Sequence, residues 1–122
     1  MNKTGLLYID DEYMNLLAFE AQFRRAYRVF CFGKVAEAFE CLEKNEIQFV
    51  FSDQRMPKTL GTEFLSQVRE RFPTVHRAVI SGFTEDGAIK KGIEAGTVEA
   101  AFEKPYRIKE IEAYIREVSS GH

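Results

Sequence analysis

The sequence predicts an α/β domain: a doubly wound, five-stranded parallel sheet in the strand order 2-1-3-4-5, covered by five helices. Three observations carry this. Short apolar runs of strand type alternate five times with segments of helical periodicity, and that alternation implies a parallel sheet buried on both faces. No repeat, linker or low-complexity stretch interrupts it. Right-handed crossovers then leave few topologies, of which 2-1-3-4-5 fits best. At 122 residues with 45% hydrophobic content, the chain suits one domain, 1–122, with its core at about 6–118.

The elements follow in order. Leu6 to Ile9 is a short buried strand ending on Asp10-Asp11-Glu12. Glu12 to about Arg25 is helical, with Leu16, Phe19, Phe23 and Ala26 inward at three- and four-residue steps. Tyr27 to Phe32 is a second strand, broken by Gly33. Lys34 to Lys44 is a helix with Val35, Ala38, Phe39 and Leu42 inward, stopped by Asn45. Ile47 to Phe51 is the third strand, running into Asp53 and a loop closed by Met56-Pro57 and Gly61. Thr62 to Arg71 is a helix with Phe64, Leu65, Val68 and Phe72 inward, and Pro73 stops it. Ala78 to Ile80 is the fourth strand, ending on Ser81-Gly82. A fourth helix is expected from about Glu85 to Ala95, capped by Thr84 and stopped by Gly96. Its apolar face is thin (Ala88, Ile89, Ile93), and Gly87 and Gly92 weaken it, so it is expected to be the least stable helix. Glu99 to Glu103 holds the fifth strand, before Lys104-Pro105, and Ile108, Ile111, Ile115 and Val118 stripe the closing helix. Ser119-Ser120-Gly121-His122 is expected to lie outside the fold.

Charge and composition narrow the function. A net charge of −2 with both signs interspersed argues against a nucleic-acid surface. No apolar run reaches the roughly 20 residues of a membrane span, and Met1-Asn2-Lys3-Thr4 does not read as a signal peptide. Cys31 and Cys41 lack metal-type spacing and read as buried reduced thiols, so a cytoplasmic location is expected.

In a parallel sheet all strand carboxyl ends share one edge. That edge receives Asp10 and Asp11 from the first strand, Asp53 from the third, Ser81 from the fourth and Lys104 from the fifth. The switch point between strands one and three is where such sheets bind ligands. Alone, the acidic run reads as a helix N-terminal cluster, Lys104 as a solvated lysine and Ser81 as a turn residue. Jointly they read as one site. Three crowded carboxylates repel, and a hard divalent cation such as Mg²⁺ relieves them with oxygen ligands. An ionised Asp53 beside a cation can attack phosphorus and form an acyl phosphate. Lys104 offers a point charge and Ser81 a hydroxyl donor to the phosphoryl oxygens. A Gly-rich phosphate loop is not present.

These motifs, Ile9-Asp10-Asp11-Glu12, Ser52-Asp53-Gln54-Arg55-Met56-Pro57 with Gly61, Ile80-Ser81-Gly82 and Lys104-Pro105, resemble the receiver (REC) domain of bacterial two-component response regulators, which is flavodoxin-like. The resemblance covers residues 6 to about 118. It implies that Asp53 is the phospho-acceptor, that Asp11 ligates Mg²⁺ directly with Asp10 helping through water, and that the Arg55 backbone carbonyl completes the protein ligands. Ser81 and Lys104 would hold the phosphoryl group, and the Lys104-Pro105 bond is expected to be cis. The implied donor is a sensor histidine kinase, a phosphotransfer protein or a small acyl phosphate. The implied readers are an output domain or downstream protein at a surface of the fourth helix, fifth strand and fifth helix, where homodimers can also form. Direct binding of nucleic acid or membrane is not implied.

The resemblance breaks at Ala101, where receivers often carry Tyr or Phe as a switch aromatic; strand alternation turns Phe102 to the other face. Phe83 and Tyr106 are the candidates to replace it. Phe83 and Arg55 flank the site at positions that tune phosphoryl lifetime in the family; a bulky Phe83 would hinder attack by water, and Arg55 would contact the phosphoryl group or an acidic neighbour. Two other readings remain. One is a receiver-like interaction module that is not phosphorylated. The other is a Mg-dependent phosphohydrolase with an Asp nucleophile, although such enzymes usually place an acid where Arg55 stands.

Overall fold

The computed structural model describes residues 3–121. Met1, Asn2 and His122, parts of the two terminal segments considered above, lie outside the described residues. The elements are β1 (Gly5–Ile9), α1 (Tyr13–Phe23), β2 (Arg28–Phe32), α2 (Val35–Lys44), β3 (Phe49–Ser52), α3 (Gly61–Arg71), β4 (His76–Ser81), α4 (Gly87–Ala95), β5 (Ala100–Glu103) and α5 (Ile108–Ser119). The five strands form one parallel sheet in the order β2-β1-β3-β4-β5, as the alternation predicts.

Side-chain alternation in the strands divides the core in two. Leu7, Ile9, Val50 and Val79 face α2, α3 and α4, where they meet Phe39, Leu42, Phe64, Leu65, Val68 and Ile89. Leu6, Tyr8, Phe49, Phe51, Ala78 and Ile80 face α1 and α5, where they meet Phe19, Phe23, Ile111 and Ile115. The second layer is largely aromatic: Phe19 lies 4.6 Å from both Tyr8 and Phe23, centroid to centroid. Each fully buried Phe or Leu contributes about 1.5–3 kcal/mol, so these two layers hold the sheet edge rigid.

Several boundaries differ from expectation for local reasons. The first helix stops at Phe23, so Ala26 is exposed and outside it. The fourth helix starts at Gly87, and its cap is Asp86 rather than Thr84: the Asp86 carboxylate accepts from the Ala88 N–H at 2.7 Å and the Ile89 N–H at 3.3 Å. A carboxylate at an N-cap is worth about 1 kcal/mol, and the helix pattern alone does not distinguish Thr84 from Asp86. Ile93 faces solvent, leaving Ile89 as the buried anchor of α4. Gly92 is buried because a Cβ there would stand 2.8 Å from Val98 Cγ2. Gly96 ends α4 in the left-handed conformation at φ 81°. The last helix includes Ser119. Cys31 and Cys41 are free thiols.

Candidate functional site

The site is built by continuing the sheet's hydrogen bonding past the strand ends. The Asp10 N–H donates to Phe32 O at 3.2 Å, and the Asp53 N–H donates to Ile9 O at 2.9 Å. The Lys104 N–H donates to Ser81 O at 2.8 Å, just before the cis Lys104-Pro105 bond. The backbones of Asp10, Asp53, Ser81 and Lys104 are therefore fixed by neighbouring strands, which suits groups that must hold a common ligand.

The carboxylates of Asp10, Asp11 and Asp53 each place an oxygen within 4.8 Å of the others. Lys104 Nζ lies 3.0 Å from Asp10 Oδ2 and 3.3 Å from Asp53 Oδ1, bridging the two buried acids. Asp10 is saturated. Its Oδ2 accepts from the Tyr8 hydroxyl at 2.5 Å, the Asn15 amide at 3.0 Å and Lys104, while Oδ1 accepts from the Glu12 N–H at 2.9 Å. Burial opposes its ionisation, but the Tyr8 hydroxyl, the Glu12 N–H and the Lys104 ammonium outweigh burial and hold its carboxyl below the usual range. Asp53 shows the opposite balance. Burial first, and then the Asp10 charge, push its carboxyl up against the pull of Lys104 and the Gln54 N–H. Lys104 itself titrates above the ordinary lysine range: burial works against its charge, but Asp10 and Asp53 outweigh burial.

Lys104 thus reaches two of three clustered carboxylates, and Asp53 carries the cost of burial and of the Asp10 charge beside it. An all-oxygen donor set with excess negative charge fits a hard divalent cation, with Asp11 exposed at the mouth and Asp53 beneath it. The Ser81 hydroxyl closes the β4 side and accepts from the Phe83 N–H at 3.2 Å.

The structure brings together Asp10, Asp11, Asp53 and Lys104, with Ser81 on the same sheet edge. Sequence reasoning missed the supports. Tyr8, two residues before Asp10, shares its face of the strand, a placement that period two could have flagged. Gln54 is fully buried; its Oε1 accepts from the Thr62 N–H at 2.9 Å and its Nε2 donates to Thr62 Oγ1 at 3.2 Å, tying the end of β3 to the start of α3. Arg55, expected to contact the phosphoryl group or an acidic neighbour, places Nη2 3.3 Å from Asp86 Oδ2. Ala101 packs in the α4-side layer and Phe102 in the α5-side layer, as alternation requires. Tyr106 lies against Phe19 and Phe23 and bonds to Gln22, and Phe83 is 54% exposed.

A switch-point acidic cluster bridged by a lysine defines the class, and the sequence comparison agrees with it. The chain matches the response regulator receiver domain over residues 6–116 and belongs to that family. It is 30% identical over 112 residues to the hydrogenase transcriptional regulatory protein HoxA of Bradyrhizobium diazoefficiens, covering 92% of this chain and 23% of that protein. It is 34% identical over 101 residues to HoxA of Cupriavidus necator, covering 83% of this chain and 21% of that protein. The chain therefore spans less than a quarter of either relative's length. Among solved structures, an uncharacterized protein from Neptuniibacter caesariensis superposes with a TM-score of 0.87 at 27% identity, over 96% of this chain and 88% of that one. Receiver domains work in two-component systems, partnered by histidine kinases and output domains, and bind Mg²⁺ at an acidic pocket.

Proposed function

We propose that this receiver domain is a phosphorylation switch whose acceptor is Asp53. The observation that carries the reading is the Lys104 ammonium spanning Asp10 and Asp53 at the switch point of the sheet. It places a fixed cation where a transferred phosphoryl group would bring new negative charge. A carboxylate oxygen of Asp53 attacks phosphorus of a phosphohistidine or a small acyl phosphate. The bond from phosphorus to the donor breaks, its electron pair leaves with the donor atom, and Asp53 becomes a mixed anhydride. Oδ1 of Asp53 is held by Lys104 and by the Gln54 N–H at 2.9 Å, which aims the other oxygen outward. In the product, Lys104 holds one phosphoryl oxygen and the Ser81 hydroxyl, turning its proton away from the Phe83 carbonyl oxygen, donates to another. Asp11 and Asp53, with the Arg55 backbone carbonyl and Asp10 through water, would hold Mg²⁺, which neutralises phosphoryl charge and orients the oxygens.

The chemistry is a single turnover on the protein itself, so the domain acts as a signalling element and not as an enzyme on external substrates. Its partners on this reading are a histidine kinase or phosphotransfer protein on one side and an output domain or protein on the other, in the cytoplasm. Among the described residues no helix is long and apolar enough to cross a membrane. The face made by α4, β5 and α5 is the surface that changes, and homodimers would form there. Intact mass after incubation with acetyl phosphate tests the proposal. The expected result is a gain of one phosphoryl group that requires Mg²⁺ and disappears in Asp53→Asn. An equal gain in the variant overturns the assignment.

A further inference from the structure

This inference rests on Asp53 being the phospho-acceptor and concerns how α4 senses it. None of Phe83, Phe102 and Tyr106 provides the route. Ala101, paired with Val79 across the strands, offers only a methyl group to the layer that holds Ile89. Phe102 is turned away against Phe51 and Tyr114, and Tyr106 is held by Phe23 and Gln22. Phe83 projects into solvent.

A polar route does exist. Arg55 Nη2 lies 3.3 Å from Asp86 Oδ2. The other oxygen of the same carboxylate, Oδ1, caps α4 through the N–H groups of Ala88 and Ile89. One side chain therefore joins the acceptor loop to the first turn of α4. The two partners differ in freedom: the Arg55 side chain is 70% exposed and that of Asp86 only 12%. Arg55 stands two residues after Asp53, a separation of about 7 Å in extended chain, which an arginine side chain can span. Phosphorylation places nearly two negative charges and three acceptor oxygens there, and guanidinium groups favour phosphate oxygens in bidentate geometry.

The two ends of α4 are held unequally. At its C-terminal end, Arg69 Nη1 donates to Ala95 O at 2.8 Å, and Arg77 donates to Gly96 O at 3.2 Å and Thr97 O at 2.9 Å. At the N-terminal end the Asp86 carboxylate ties the first turn to Arg55. Gly82 and Gly87 bracket that segment, and no atom stands within 4 Å of where their Cβ would be.

We propose that the Arg55–Asp86 ion pair is the coupling element between the acceptor and α4. On phosphorylation Arg55 exchanges Asp86 for phosphoryl oxygens. The first turn of α4 is then freed to pivot about its arginine-held C-terminal end.

Asp86→Asn tests this, because an amide oxygen keeps the cap on Ala88 and Ile89 but loses the charge that holds Arg55. Backbone amide spectra are recorded with and without beryllofluoride and Mg²⁺, for wild type, Asp86→Asn, Arg55→Gln and the double variant. The proposal expects the shift changes at Ala88 and Ile89 to fall by at least half in each single variant, with no further loss in the double. Resonances of Asp53 and Lys104 should still report beryllofluoride binding in Asp86→Asn. Undiminished changes at Ala88 and Ile89 in either single variant overturn the coupling. So does a wild type that binds beryllofluoride with α4 unmoved. A wild type that neither binds beryllofluoride nor gains phosphoryl mass instead overturns the acceptor assignment itself.

Discussion

Gly61→Ala is the sharpest perturbation linking the fold to the site. Gly61 begins α3, and its N–H donates to Gln54 O at 2.9 Å. A Cβ at this position would lie 2.2 Å from the carbonyl oxygen of Asp53 and 2.8 Å from Ser52 Oγ. The first contact is with backbone, so no rotamer change relieves it. The loop between β3 and α3 must retreat by roughly 1 Å, a strain costing about 3 kcal/mol at the upper end of overpacking. With a urea m-value of about 1.5–2 kcal/mol/M for a domain of this size, the midpoint falls by about 1.5–2 M. The same movement displaces Asp53, and a misplacement of about 1 Å can slow a reaction on the order of 100-fold. Urea unfolding and the rate of phosphoryl uptake are measured together. Gly87→Ala, in open space at the first position of α4, serves as the control and should change stability by no more than about 1 kcal/mol. A Gly61→Ala protein within about 1 kcal/mol of wild type, with unchanged uptake, would refute the reasoning.

Other outcomes follow from the same geometry. Asp53→Asn should raise the urea midpoint at pH 7, because the Asp53 carboxyl titrates above its unfolded value of about 3.9 and its charge is a native-state cost above that titration. The gain should vanish below about pH 3.9, and a variant less stable than wild type at pH 7 contradicts the repulsion argument. Asp10 has the opposite sign: its contribution is present above about pH 3.9 and is lost as pH falls through its lowered value. Mg²⁺ at 100 times its dissociation constant should stabilise wild type by about 2.7 kcal/mol and Asp53→Asn by much less, read as a shift in Tm. Gln54→Ala should cost about 1–3 kcal/mol in urea unfolding, since the Thr62 N–H loses its buried acceptor. The Cys31 thiol is pushed up to about 12 by burial and by Glu20, so iodoacetamide at pH 8 should modify it on the order of 1,000-fold more slowly than a free thiol; comparable rates by mass spectrometry would contradict that burial.

Most of the fold was legible because period-two and period-3.6 patterns sort side chains onto faces before any tertiary contact forms. Phe39, Phe64 and Ile111 were readable this way, and the strand-end placement of Asp10, Asp53, Ser81 and Lys104 followed from topology alone. What escaped was polar and non-local. Asp86, and not Thr84, caps α4, and its carboxylate also meets Arg55, 31 positions earlier. Gln54 is buried because the first turn of α3 needs its amide. Tyr8 looks like an ordinary strand aromatic until its hydroxyl is seen on Asp10. Ala26 and Ile93 fit the helical period but fall where the helix has ended or the sheet no longer faces it.

The central claim is that Asp53 carries the phosphoryl group. Borohydride reduction of protein treated with acetyl phosphate and Mg²⁺, followed by peptide sequencing, tests it at the residue, because an acyl phosphate on aspartate is reduced to homoserine. The account predicts homoserine at position 53, dependent on Mg²⁺ and on prior phosphorylation. Homoserine at Asp10 or Asp11, or at no position in a protein that has gained phosphoryl mass, would contradict it.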